Sequence, residues 1–174
     1  MHFRTVEPTD VNALVALAQR AGTVPGHPWL PEECNEQVMA PWVQHCLQQG
    51  LMVVAEHPTE AHTLVGCVAV AKTGRQVQRH VLSDLTLVVD PAYQTALARS
   101  LVLLLLDEVV RHRPDVGKVE GWLPESSADT IAMLQELDFM IEGRLEMRRR
   151  NANKSYEADI AMGWQNPAYE FEQD

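Results

Sequence analysis

An apolar run closes on Leu87-Val88-Val89-Asp90-Pro91, and a long helical segment opens near Tyr93-Gln94. A helix that begins directly after a strand leaves its first backbone N–H groups without partners, and such a mouth attracts phosphate. The N–H groups of Thr95 to Ser100 are the ones on offer here. Two carboxylates, Asp84 and Glu120, fall on the strands before and after this helix, and either could accept a proton. Strict alternation puts Asp84 on one face with Thr86 and Val88, opposite Leu85 and Leu87. Capping the strand start is the competing role for Asp84, with a similar one for Glu120. Ser127 could touch a ligand or simply cap the next helix. The thiols and imidazoles are less suggestive. Cys34, Cys46 and Cys67 show no C-x-x-C spacing, and His57 and His62 flank a turn with no partner at metal-site spacing. His45 and Cys46 are helix neighbours and point apart. No phosphate-loop, dinucleotide, nucleophile-elbow or zincin motif occurs, so no metal is expected.

The elements that must position these residues follow from periodicity. A short strand ends at Val6, and Thr9-Asp10 caps a helix carrying Val11, Leu14, Val15, Leu17 and Ala18 to Gly22. Thr23 to Pro31, with three prolines and a glycine, reads as a loop. A second helix spans Glu32 to Gln49, with Val38, Trp42, Val43, Cys46 and Leu47 on one face and a kink or break expected at Pro41. Strands follow over Leu51–Ala55, Leu64–Ala71 (Gly66 marking a bulge) and Leu82–Val89. Ala92 to Arg113 reads as one helix, terminated by Pro114. Its Leu101–Leu106 core is apolar nearly all round, which predicts burial on more than one side. Val116–Leu123 is a strand, Ser126 or Ser127 starts a helix to about Leu137, and Phe139–Arg148 and Tyr156–Trp164 close the chain as strands. The resulting order, β-α-α-β-β-β-α-β-α-β-β, implies a mixed sheet flanked by helices, with Leu82–Leu123 as a βαβ unit. No repeat or linker divides it. One domain over 1–166 and an acidic tail over 167–174 are expected.

The chain has 174 residues, 46% of them hydrophobic, and a net charge of −10. That apolar content argues against disorder, and three cysteines argue against a disulfide scaffold. The longest aliphatic run, Leu101–Leu106, is far short of the roughly 18 residues of a membrane span. Without an apolar signal core at the start, a reducing, cytosolic setting is the expectation. The charge is unevenly spread: −5 over 1–70, +2 over 71–118 and −7 over 119–174. An anionic ligand is most at home in the middle block, unless its Lys and Arg are merely solvated. Nucleic acid is disfavoured, since Arg148-Arg149-Arg150 is too short a basic patch to overturn the balance.

The order of elements and the pattern Leu87-x-Val89-x-Pro91 resemble the GNAT-type N-acetyltransferase superfamily, over roughly Phe3 to Trp164. The resemblance implies an α/β (α+β mixed) fold: a central mixed, mainly antiparallel sheet of about seven strands flanked by about four helices. It implies acetyl-CoA as co-substrate, with the pantetheine arm against Leu87, Val88 and Val89. The pyrophosphate would sit at the turn formed by Gln94, Thr95, Ala96, Leu97, Ala98, Arg99 and Ser100, with Ser127 as a further contact. The implied reaction is attack of a primary amine, on a small molecule or peptide, on the acyl thioester, with Asp84 or Glu120 as base. Trp29 would help form the acceptor pocket or anchor its loop. Because dimers are frequent in that family, a homodimer is among the implied states.

The sequence also departs from the family's pattern. Leu97 and Arg99 occupy positions that are normally small, so Leu97 could block the site and Arg99 could pair with phosphate. Ser127 stands where Asn is frequent, Asp138 where Gly is, and Leu134 where a tyrosine often protonates the leaving thiolate. The alternative implied by these departures is a catalytically inactive binding or regulatory module with the same fold.

Overall fold

Apolar alternation and helical periodicity condense into seven strands and four helices in a computed structural model that describes residues 1–22 and 27–171, with only the backbone of Gln94. The strands are β1 (His2–Thr5), β2 (Gly50–Glu56), β3 (Leu64–Ala71), β4 (Val81–Val89), β5 (Lys118–Pro124), β6 (Met140–Arg150) and β7 (Tyr156–Gln165). The helices are α1 (Val11–Ala21), α2 (Glu36–Gln49), α3 (Gln94–His112) and α4 (Ala128–Glu136). This is the order expected from the sequence. Part of the loop read over Thr23 to Pro31, and the last three residues of the tail, lie outside the described residues.

One sheet runs β1-β2-β3-β4-β5-β7-β6, with every pair antiparallel except β4 and β5. β2 and β3 are buried on both faces, which is why they read as continuous apolar runs rather than alternating ones. On one face Leu51, Val53, Val68 and Leu82 pack beneath Leu101, Leu105 and Val109 of α3 and Met133 and Leu134 of α4. On the other, Met52, Val54, Cys67 and Ala69 pack beneath Leu14 and Leu17 of α1 and Val43 and Cys46 of α2.

Three local expectations change. α2 starts at Glu36, because the Asn35 side chain accepts a hydrogen bond from the Val38 N–H at 3.2 Å and so sets the cap. It continues through Pro41, and its buried face is Met39, Val43 and Cys46, while Leu47 is 41% exposed. The apolar centre of α3 is buried on one side only: Leu103 and Leu104 are exposed by 47% and 38%. In β4, Asp84 takes φ +56°, and the pairing with β3 slips between Ala69↔Thr86 and Ala71↔Ser83. This bulge inserts one residue, so Leu82 shares its face with Leu85, Leu87 and Val89. Simple alternation therefore fails across Asp84.

Candidate functional site

β4 and β5 are parallel partners only at Val81↔Lys118 and Leu82↔Val119. Ladder pairing ends there, and past the contact of Leu85 with Gly121 a cleft of about 390 Å³ opens between Leu85–Val89 on one wall and Trp122–Pro124 on the other. Gly121 sets the closest approach below it. A Cβ there would lie 2.6 Å from Leu85 Cβ and 3.0 Å from Leu85 N, so only glycine lets the strands meet at this point. The helical sides of the cleft come from Thr95 and Ala98 of α3 and from Ser127, Met133 and Leu134 at α4.

The mouth of α3 lies at the end of the β4 wall. Tyr93, the residue before the helix, makes no side-chain cap, so the N–H groups of the first turn have no side-chain partner there. Asp90 shapes the entry by accepting the Ala92 N–H at 3.0 Å on its side chain and the Tyr93 N–H at 2.9 Å on its carbonyl. Arg20 of α1 holds the Asp90 carboxylate at 2.8 Å. Burial pushes that carboxyl up, but the Arg20 and Ala92 hydrogen bonds outweigh it and leave it below the ordinary value. A negative charge at the helix mouth is thus offset by a neighbouring guanidinium.

The sequence-derived residues separate into groups. Leu87, Val88, Val89, Thr95, Ala98 and Ser127 line the cleft. Ser127 makes no side-chain cap to α4, so its hydroxyl is not committed to that role. Leu97 is 5% exposed and faces the sheet, packed over Gly66, so it does not block the cleft. Arg99 donates to Glu136 of α4 at 2.6 Å, and Ser100 donates to the Ala96 carbonyl at 3.0 Å. Ala96 is exposed, and the Gln94 side chain lies outside the described residues.

Asp84 and Glu120 are not in the cleft lining. Asp84 projects from the bulge towards α2, where its charge adds to burial in pushing the Cys46 thiol up to about 12. Glu120 accepts from buried Ser83 at 3.1 Å and pairs with Lys118, also at 3.1 Å. Leu134, 1% exposed, presents hydrocarbon to the cleft.

A second cavity, of about 960 Å³, adjoins the first and shares His27, Pro28, Ser126 and Arg149 with it. Its walls are the 28–33 loop and the ends of the β6–β7 hairpin. Trp29 anchors that loop edge-on against Trp42, with ring centroids 4.8 Å apart. On the hairpin, Asp159 is buried and holds Arg149 at 3.0 Å and Arg148 at 3.4 Å, while Arg148 also covers the Trp122 ring at 5.3 Å. The triple-arginine run is thus largely a hairpin ion-pair device facing this cavity. His27 at the junction escaped the sequence reading; its single cue is an ionisable residue set between Gly26 and Pro28-Trp29. Among the described residues, no group of His, Cys, Asp and Glu is arranged to hold a metal, and no helix is long and apolar enough to cross a membrane.

No protein-family model matches the sequence, and no curated protein matches it. Solved structures do match in fold. The yncA protein of Salmonella typhimurium, solved with its cofactor acetyl-CoA, superposes with TM-score 0.81 at 17% identity, covering 100% of this chain and 97% of its own. A ribosomal-protein-alanine N-acetyltransferase from Brucella melitensis gives 0.81 at 18% identity, covering 95% and 99%. A GNAT superfamily phosphinothricin acetyltransferase from Sinorhizobium meliloti, in complex with acetyl-CoA, gives 0.80 at 13% identity, covering 97% and 89%. The chain has the fold of the GNAT acetyltransferases.

Proposed function

We propose that this chain is an acyl-CoA-dependent N-acyltransferase, moving an acetyl group from acetyl-CoA to a primary amine on a small molecule or peptide. The observation that carries the reading is the end of the β4–β5 ladder at Leu82 and the parting of the two strands past Gly121, which opens a cleft leading to the uncapped mouth of α3. The residues present fit such a co-substrate. β4 loses its β5 partner along Leu85–Val89, leaving strand backbone for an amide-bearing arm. The N–H groups at the start of α3 suit a pyrophosphate. Leu97 is turned away, and Ala98 is the small residue that meets the cleft. The phosphate contact then rests on backbone rather than on Arg99, whose charge is already engaged by Glu136.

The second cavity is the place for the acceptor, since it meets the first at His27 and Arg149. Holding amine and thioester in one geometry supplies much of the rate in such a transfer. The three cysteines are all unpaired and buried, which supports a reducing, cytosolic setting. A second reading, a binding module without turnover, draws on Leu134, which places no ionisable group where the leaving sulfur would lie.

Two measurements decide. Acetyl-CoA at about 100 times its Kd adds about 2.7 kcal/mol, a rise in Tm of roughly 5–10 °C for a chain of this size. Thiol release is then followed with an alanine-initiated hexapeptide, spermidine or free amino acids as acceptors. No rise in Tm at millimolar acetyl-CoA sinks both readings; a rise with no thiol release from any acceptor selects the binding module.

A further inference from the structure

His27 is the one described side chain with a buried polar atom that lacks a hydrogen-bond partner, and that atom is Nε2. Buried polar atoms are nearly always paired, so an orphan on a residue that lines two cavities asks for a ligand. The other ring nitrogen is engaged: Nδ1 lies 2.9 Å from the Trp29 carbonyl oxygen. The Trp29 N–H also points at Nδ1, at 3.3 Å, but the shorter contact to the carbonyl requires a proton on Nδ1. In that tautomer Nε2 carries a free lone pair.

Five of the charged groups around His27 are already engaged, by one another or by backbone. Arg149 of β6 spans from Asp159 of β7 to the His27 carbonyl oxygen, at 3.0 and 3.4 Å. Arg148 shares Asp159. Glu33, from the same loop as His27, accepts the Leu30 N–H at 2.8 Å, and Glu157 of β7 accepts the Ser126 N–H at 3.1 Å. Asp129 of α4 and Arg150 of β6 complete the charged lining. None of these touches Nε2.

We propose that His27, through Nε2, is the base that takes the proton from the acceptor amine. This rests on the acyl-transfer reading above. His27 lines both the cleft assigned to the thioester and the cavity assigned to the acceptor, so the two substrates meet beside it. As the neutral amine nitrogen forms its bond to the thioester carbon, it sheds one proton to Nε2. The carbon–sulfur bond breaks, and the sulfur leaves with the electron pair as thiolate. The imidazolium then returns the proton to the thiolate or to solvent, restoring the neutral ring. Burial lowers the His27 pKa below the ordinary 6.5, and the Trp29 carbonyl only partly offsets this, so the ring is neutral and able to accept near pH 7.

The experiment compares wild type, His27→Ala and His27→Asn, with whichever of the three probe acceptors the wild type acetylates fastest. Asn keeps an N–H donor for the Trp29 carbonyl and lacks Nε2, so it separates loop support from proton transfer. Both variants should lose about 10²-fold or more in kcat, keep the KM for acetyl-CoA within about twofold, and lose the limb of the pH–rate profile that rises below pH 6.5 in the wild type. An unchanged kcat, or a persisting limb, in His27→Asn overturns the assignment. Loss of rate in Ala with full rate in Asn also overturns it, since loop support alone would explain that. If the wild type acetylates none of the probes, the acyl-transfer reading fails and the assignment falls with it.

Discussion

Leu97 of α3 packs down onto Gly66 of β3: a Cβ at Gly66 would lie 3.2 Å from Leu97 Cδ2 and 2.8 Å from Leu101 Cδ1. The bulky aliphatic residue of the candidate phosphate turn is therefore a core residue. Its side chain fills the space that a glycine on β3 leaves open, and Ala98 is the neighbour that meets the cleft.

Leu97→Gly follows directly from that packing. It removes a buried leucine and places glycine inside a helix, at a combined cost of about 3–6 kcal/mol. Acetyl-CoA affinity should not improve. Urea unfolding measures the first effect and titration calorimetry the second; a gain in affinity would show that Leu97 obstructs the cleft after all.

Arg99→Ala should be close to silent. Its partner Glu136 is 66% exposed and Arg99 itself 43%, so the pair contributes at most about 1 kcal/mol. If the phosphates are held by α3 backbone, acetyl-CoA affinity stays within about twofold. A tenfold loss would mean that Arg99 leaves Glu136 to meet the coenzyme.

Gly121→Ala tests what holds the base of the cleft. The new Cβ would collide with the Cβ and backbone nitrogen of Leu85, neither of which is a flexible chain end. The expected cost is about 1–3 kcal/mol, with weaker acetyl-CoA binding as β4 and β5 are pushed apart. Gly143→Ala is the control: no atom lies within 4 Å of the added carbon, and stability should move by less than about 0.5 kcal/mol.

Arg4 and Asp10 give the fold an acid-sensitive clasp. Arg4 donates to both Asp10 carboxylate oxygens, at 2.7 and 2.8 Å, and the Glu7 N–H adds a third bond. Burial pushes the Asp10 carboxyl up, but these bonds outweigh it and hold it below the ordinary 3.8. A carboxyl lowered in the folded state contributes stability fully above its unfolded value and loses it as pH falls through the folded one. Stability should therefore decline from about pH 4 downward. Arg4→Met should cost about 3 kcal/mol at neutral pH, because it leaves a buried carboxylate unpaired. The deficit should shrink as the pH drops below 4; unfolding midpoints at pH 7, 5 and 3 check this.

The order of elements was legible because periodicity is local. Whether Leu14 and Leu17 share a helix face, or β2 reads as a buried run, depends on residues one or two turns away. The Leu87-x-Val89-x-Pro91 ending before a helical segment is equally local, and it led to a strand and helix start that border the cleft. Asp84 lies on the face it was read on, with Val88 and opposite Leu85 and Leu87, but at that level the face meets α2, where its charge reaches Cys46, and not the cleft. Glu120 escaped the local logic because its bond to Ser83 crosses between strands 37 positions apart.

The sequence by itself determined the strands, helices and their order, and with them the place where two parallel strands flank a helix. Tertiary structure decided which side chains face the cleft. Leu97 is turned inward by a gap above Gly66, Arg99 is claimed by Glu136 at 37 positions' distance, and His27 is enclosed beside Arg149 at 122 positions' distance. The physical reason is one of range. Backbone periodicity is set by neighbours along the chain, whereas the burial and hydrogen bonding of a given side chain are set by whatever the fold brings against it.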